Sequence, residues 1–125
     1  MMDQPSIREL VEAVRDFIEK RAMPELKGHT AFHARVAANA LGIVSRQLEH
    51  GPHAAAEERA RLVALLGRDG SLEELNRALC GQIRDGALAI DSAVLQKHLE
   101  LTTLDKVAID QPNYSGLKIA QGAKE

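Results

Sequence analysis

The segment Ser6–Ile18, with the sequence SIRELVEAVRDFI, decides the fold class of this chain. Ser6 and Glu9 form a capping-box pattern, in which the hydroxyl and carboxylate oxygens each accept a hydrogen bond from a free backbone N–H at the start of a helix. Apolar side chains then recur at spacings of three and four, the period of one helix face. They are Ile7, Leu10, Val11, Val14, Phe17 and Ile18. The segment predicts an amphipathic helix that ends at or before Met23, because Pro24 follows.

Two more helices are predicted downstream of this segment. The second runs over 31–49 from an N-cap at Thr30, and its wide surface of apolar residues and alanine indicates a central helix with several neighbours. Gly51-Pro52 is expected to break the chain, since proline suits the first turn of a new helix. The third helix then ends near Leu66, where Gly67 supplies the left-handed residue that closes a helix.

The fourth and fifth helices complete the predicted architecture. Ser71–Glu74 is a second capping-box pattern, which begins a helix over about 72–85. Asp91 or Ser92 caps a fifth helix that ends at about Asp110, because a proline follows. Short loops favour antiparallel neighbours. The sequence therefore predicts an all-α fold, a five-helix antiparallel bundle.

Length, charge and cysteine content limit the class of protein. A chain of 125 residues fits one domain, and we expect a helical domain over 1–115 with a mobile C-terminal tail over 116–125. The net charge of −2 gives no field that attracts nucleic acid or an anionic membrane. No apolar stretch has the length of a membrane span. Cys80 is the one cysteine, so we expect a reducing, cytoplasmic compartment.

The standard catalytic signatures are absent from the sequence, including phosphate-binding glycine loops and paired-cysteine zinc patterns. His29 and His33 have a spacing that can hold one metal on a helix, but no glutamate follows at the zinc-protease spacing. We therefore expect no metal and no cofactor. Cys80 has no adjacent base, which favours a buried, inert thiol. An enzyme would need His33, or His98 with Asp105, as acid–base groups; a non-catalytic protein is favoured.

Five residues are candidates for a ligand or interaction site. His33 lies within the apolar arc of the second helix, where a hydrogen-bonded core histidine is favoured over a ligand contact. Arg35, Asn39 and Arg46 form a polar stripe on the same helix. This stripe can bind a carboxylate or phosphate, or it can pair with acidic residues of a neighbouring helix, which we favour. Tyr114 follows a turn and can fold back as a structural latch that buries its ring.

Two segments together carry a resemblance to a known family. They are Phe32–Leu41, FHARVAANAL, and Lys106–Ser115, KVAIDQPNYS. With Leu62–Gly67 and Leu79-Cys80 between them, the chain resembles a bacterial family of uncharacterised helical domains from about Ile7 to Ser115. The family's domains are fused to, or encoded beside, phosphotransferases of the aminoglycoside-kinase and choline-kinase type, often near acyl-CoA dehydrogenases.

This resemblance implies an accessory role close to acyl-CoA or small-molecule phosphoryl metabolism. The first hypothesis is a non-catalytic interaction domain that docks on a phosphotransferase-like partner or on a second copy of itself. The alternative is a module that binds a small anion, such as an acyl-CoA or a phosphorylated metabolite, through Arg35, Asn39 and Arg46 with help from His33. Neither hypothesis involves nucleic acid or a membrane.

Overall fold

The computed structural model describes residues 4–122, and these contain helices and connecting turns but no β-strand. The prediction of an all-α fold is confirmed. The α-helices of this part of the chain are α1 (Ile7–Phe17), α2 (Gly28–Leu66), α3 (Leu72–Asp85), α4 (Ala93–Asp110) and α5 (Ser115–Gly122). A π-helical turn, Ile18–Ala22, and a 3-10 turn, Met23–Glu25, follow α1.

The chain divides into two compact units, and the boundary lies inside α2. Unit 1 is Met1–Gly51 and contains α1 and the first half of α2. Unit 2 is Pro52–Glu125 and contains the second half of α2 with α3, α4 and α5.

The predicted break at Gly51-Pro52 is wrong, because α2 continues through it. A proline inside a helix removes one hydrogen bond, and its ring clashes with the Cβ of the preceding residue. Gly51 has no Cβ, so it stays helical before Pro52. The Gln47 side chain lies where a Cβ on Gly51 would stand. The predicted N-cap at Thr30 is also wrong, since α2 begins at Gly28.

Both predicted capping boxes are confirmed. Ser6 N donates to Glu9 Oε2 at 2.6 Å, and Glu9 N donates to Ser6 Oγ at 3.2 Å. In the same way, Ser71 N donates to Glu74 Oε2 at 2.9 Å, and Glu74 N donates to Ser71 Oγ at 3.1 Å. These N–H groups stabilise the ionised carboxylates, and the backbone N–H of each serine contributes most to lowering the pKa of Glu9 and Glu74.

The other predicted helix ends are close to those observed. Gly67 has a φ of +66°, the left-handed conformation expected at the end of α2. Ser92 is the N-cap of α4, and its Oγ accepts a hydrogen bond from Leu95 N at 3.4 Å. A mobile tail was predicted over 116–125, but α5 occupies most of that range and its Leu117 is buried. The last three residues of the predicted tail lie outside the described residues.

Within unit 1, α1 lies antiparallel to the first half of α2. Arg8 and Glu49 form an ion pair at 2.9 Å. About two turns further along α1, Arg15 lies beside Gly42 of α2. A Cβ added to Gly42 would stand 3.4 Å from Arg15 Cζ. Because the residue number rises along α1 as it falls along α2, the two helices run in opposite directions.

The core of unit 2 consists of leucines from three helices. Leu62 of α2, Leu75 and Leu79 of α3, and Leu95 of α4 are buried together. Each full burial of such a side chain contributes about 1.5–3 kcal/mol. This leucine cluster fixes α2 and α4 side by side, and the groove described next lies between them.

Candidate functional site

An apolar groove of about 430 Å³ lies in unit 2 between the second half of α2 and the start of α4. Ala64 and Leu65 line it from α2, and Ala93 and Val94 line it from the first turn of α4. Alanine at two of these positions leaves space that a larger side chain would fill. Small-molecule pockets occupy about 300–1,000 Å³, so this α2–α4 groove has the size of a ligand site.

Polar side chains occur at one part of this groove, where Arg61 of α2 lies beside His98 of α4. Arg61 Nε donates to His98 Nδ1 at 3.4 Å, and Arg61 Nη2 donates to Thr102 Oγ1 at 3.1 Å. His98 is buried. Since Nδ1 acts as the acceptor, the ring proton is assigned to Nε2.

The surroundings of His98 keep its ring neutral. Burial lowers the pKa of His98, the positive charge of Arg61 lowers it further, and the carboxylate of Glu58 opposes both effects. A neutral ring is needed for Nδ1 to accept the bond from Arg61, so the low pKa and the hydrogen bond agree.

The groove carries positive charge and its lining contains no carboxylate. Arg61 and Lys97 are its charged residues. Among residues 4–122, no carboxylate forms an ion pair with Arg61. Lys97 pairs with Glu100 at 3.2 Å, but both side chains are exposed, and such pairs are worth about 0–1 kcal/mol. An anion in the groove would therefore meet two cations.

This groove was not predicted from the sequence. Arg61 precedes the core residue Leu62, so it was not singled out on an apolar face. His98 was considered only with Asp105, but its hydrogen-bond partner is on another helix. The available signal was the position of His98 three residues after Leu95, on the face of α4 that is buried.

The predicted polar stripe lies on the first half of α2, in unit 1, whereas the groove belongs to unit 2. Arg35 and Asn39 are exposed, and Arg46 is partly buried. Arg46 Nη1 lies 3.2 Å from the place of a Cβ on Gly42. A ligand role for the stripe stays a prediction. His33 is exposed, with its ring 5.6 Å from that of Phe32, so the prediction of a core histidine is wrong.

Two other predicted environments are also wrong. Tyr114 is 56% exposed, and its ring lies over Gly116 instead of being buried as a latch. It lines a second groove, of about 280 Å³, with residues from the end of α4. Cys80 is exposed. The reason is that α3 buries the face of Leu75 and Leu79, and the next residue along a helix points about 100° away.

Unit 1 has a different feature, which is the exposure of large apolar side chains. No residue of α1 is buried, although its apolar stripe was expected to pack in the core. Four large residues of α1 and four of the first half of α2 are exposed. These eight residues, called here the apolar faces of unit 1, are Ile7, Leu10, Val14, Phe17, Phe32, Val36, Val44 and Leu48.

Over residues 4–122, no group of three or more His, Cys, Asp or Glu side chains is arranged to hold a metal ion. No helix of that part combines the length and the apolar character needed to cross a membrane.

Residues 4–122 thus form a small all-α protein with an apolar groove in unit 2. A family model matches residues 24–114, and the chain belongs to that family, described as a domain of unknown function, DUF6285. The match includes Phe32–Leu41 and all of Lys106–Ser115 except its last residue. No curated protein matches the chain, and no solved structure matches it.

Proposed function

We propose that this chain is a non-catalytic accessory domain that binds another protein through the apolar faces of unit 1. The observation that carries the proposal is α1, a well-capped amphipathic helix with no buried residue. An isolated helix shorter than about 12–15 residues is marginal in water, so α1 depends on tertiary contacts for its stability. A concentration of exposed large apolar side chains is typical of protein-binding sites.

The energetic argument concerns the four large side chains of α1, which are 51% to 69% exposed. Full burial of one such side chain contributes about 1.5–3 kcal/mol. Covering the exposed part of all four therefore contributes roughly 3–7 kcal/mol. That amount is a large fraction of a typical domain stability of about 5–15 kcal/mol.

The area of the apolar faces supports a protein partner. If a fully exposed large residue presents about 150–250 Å², the exposed fractions of the eight residues amount to roughly 600–1,000 Å². Each partner of a standard interface contributes about 800 Å². The faces are thus large enough for a specific interface, and their helical geometry suits helix-to-helix packing.

The partner we propose is a phosphotransferase-like enzyme in the cytoplasm of a bacterial cell. The resemblance described above supports this choice, since such enzymes accompany the related domains. A single cysteine is consistent with a compartment that keeps thiols reduced. Self-association through the same faces is the competing outcome, and the experiment separates the two.

The test measures co-elution of the purified chain with a phosphotransferase-like enzyme of the same organism, together with the mass of the chain alone by sedimentation velocity. The test variant is Phe17→Ser, and the matched control is Ile119→Ser, which removes an equally exposed apolar side chain from α5. We expect a stable complex that Phe17→Ser weakens and Ile119→Ser does not.

Three results would count against the proposal. A monomeric chain that fails to bind the enzyme contradicts docking altogether. Equal loss of binding in both variants contradicts the assigned surface. A homodimer that excludes the enzyme, and that Phe17→Ser dissociates, contradicts the phosphotransferase partner and shows that the second copy is the occupant. Circular dichroism of both variants verifies that the helices are retained.

A further inference from the structure

We propose that the α2–α4 groove of unit 2 binds a small amphipathic organic anion, a carboxylate attached to a short hydrocarbon chain. This site belongs to unit 2, whereas the apolar faces belong to unit 1, and it does not depend on the function proposed above. Three features of the groove support this ligand: the aliphatic lining, the positive charge and the hydrogen-bond donors that have no protein acceptor.

The aliphatic lining of the groove favours a ligand with a hydrocarbon chain. Ala64, Leu65 and Val94 provide aliphatic surface, and Val94 is 63% exposed. Apolar area removed from water contributes about 25 cal/mol per Å², so an alkyl chain in the groove would cover surface that is now hydrated. A fully polar ligand would gain nothing from these walls.

The charges select an anion. Arg61 is partly buried, and both of its protein hydrogen bonds go to neutral acceptors, His98 and Thr102. Its positive charge thus has no paired carboxylate among residues 4–122. Partly buried cations are normally paired, and a ligand carboxylate would supply the missing charge. Lys97, whose only ion pair in the described chain is an exposed one, is free to turn towards the same group.

A ring nitrogen of His98 has no acceptor among the described residues. With Nδ1 of His98 engaged by Arg61, Nε2 carries the proton, and no acceptor among residues 4–122 bonds to it. Every fully buried side-chain nitrogen or oxygen of those residues has a hydrogen-bond partner. Nε2 of the buried ring is therefore accessible, and the ring lines the groove. A carboxylate oxygen is a suitable acceptor for this donor.

The first turn of α4 also contributes positive electrostatic potential at the groove. Ala93 and Val94 belong to its first turn, where backbone N–H groups lack helical acceptors. That turn contains no acidic residue, so the positive end of the helix dipole is not compensated by its own side chains. Together with Arg61 and His98, this turn favours negative charge at the groove.

A carboxylate fits better than a phosphate. Two of the three nitrogens of the Arg61 guanidinium already donate to His98 and Thr102. The bidentate contact that arginine makes with a phosphate is therefore partly occupied. The remaining N–H groups of Arg61, one lysine and one neutral histidine suit a monoanion.

The experiment titrates the full chain with octanoate by isothermal calorimetry, and compares 1-octanol, acetate and octyl phosphate. We expect octanoate to bind more tightly than each of the others, because each lacks either the charge, the hydrocarbon or the single charge of the head group. Octanol that binds as tightly as octanoate overturns the anion site. Octyl phosphate that binds more tightly overturns the choice of a carboxylate.

Two pairs of variants locate the site. Ala64→Phe fills the groove and should abolish octanoate binding, whereas Ala60→Phe, an exposed alanine one turn earlier on α2, should not. Arg61→Gln should weaken binding about 10- to 100-fold, as expected for loss of a charged hydrogen bond. Arg77→Gln on the surface of α3 should leave it unchanged. Octanoate that fails to bind, or that binds Ala64→Phe as tightly as the original chain, overturns the proposal.

Discussion

Arg61 Nε of α2 donates a hydrogen bond to Nδ1 of His98 of α4, across 3.4 Å. The bond requires an unprotonated Nδ1, and the pKa of His98 is lowered by burial and by the adjacent guanidinium. A cation and an imidazole are thus held together inside unit 2 only while the imidazole is neutral. The stability of unit 2 is therefore linked to pH.

The first prediction concerns this pH dependence. His98 has a lower pKa in the folded chain than its usual value of 6.5, so the unfolded chain binds more protons between those two values. The free energy of unfolding is then highest above pH 6.5, falls as the pH drops from 6.5 to the folded pKa, and levels off below it. Urea unfolding at a series of pH values measures this slope.

His98→Gln isolates the contribution of this residue, because a glutamine oxygen can accept the Arg61 bond without titrating. We expect the slope between neutral and mildly acidic pH to become smaller in the variant. The exposed His53→Gln serves as control, since it lies at the surface of α2. An identical slope in the original chain and in His98→Gln would contradict the assignment.

The second prediction concerns the continuity of α2. Pro52→Ala restores one backbone hydrogen bond and removes the clash of the ring with the carbonyl four residues earlier, so we expect the free energy of unfolding to rise by about 1–3 kcal/mol. Gly51→Ala should lower it, because the new Cβ would meet the ring of Pro52, whereas the flexible Gln47 side chain can move aside. Thermal unfolding of both variants measures the effect. If α2 were broken at this point, Pro52→Ala would give no gain.

The third prediction concerns the N-cap of α3. Ser71→Ala removes the acceptor of the Glu74 N–H, and we expect a loss of about 1 kcal/mol. The pKa of Glu74 is lowered by its bonds to Ser71, so its stabilising effect is present above the usual carboxylate pKa and is lost as the pH falls through the folded value. Chemical unfolding at neutral pH measures the loss in the free energy of unfolding. If Ser71→Ala loses no more than Ser115→Ala, which changes an exposed serine, the capping role of Ser71 is contradicted.

The fourth prediction concerns the leucine core of unit 2. Leu62 is fully buried, and Leu62→Ala should lower the free energy of unfolding by about 2–5 kcal/mol. Leu99→Ala, which truncates a leucine that is 45% exposed on α4, should cost much less. Equilibrium unfolding in denaturant compares them, and similar losses at both positions would show that the core lies elsewhere.

Local signals in the sequence predicted the helix ends well. The pairs Ser6–Glu9 and Ser71–Glu74 form the expected hydrogen bonds, because a capping box depends on residues within one turn. Gly67 adopts its left-handed conformation for the same reason. The break at Gly51-Pro52 was predicted from the proline, and the error arose because a preceding glycine relieves the clash that usually ends a helix.

Contacts between helices were predicted poorly. An apolar stripe shows which face of α1 would be buried, but it does not show whether anything covers that face. The exposure of Phe17 and Phe32 therefore could not be predicted from periodicity. The pairing of Arg61 with His98 joins residues 37 apart in sequence, and only the antiparallel placement of α2 and α4 brings them together.

The most direct test of the proposed interaction surface is hydrogen–deuterium exchange of the chain, alone and with the phosphotransferase-like partner that we propose. Because α1 has no buried residue, its amides should exchange rapidly in the isolated chain and become protected in the complex. The amides of α3, which contributes Leu75 and Leu79 to the core, should be protected in both samples. Rapid exchange of α1 in the presence of a bound partner, with new protection elsewhere, would contradict the account.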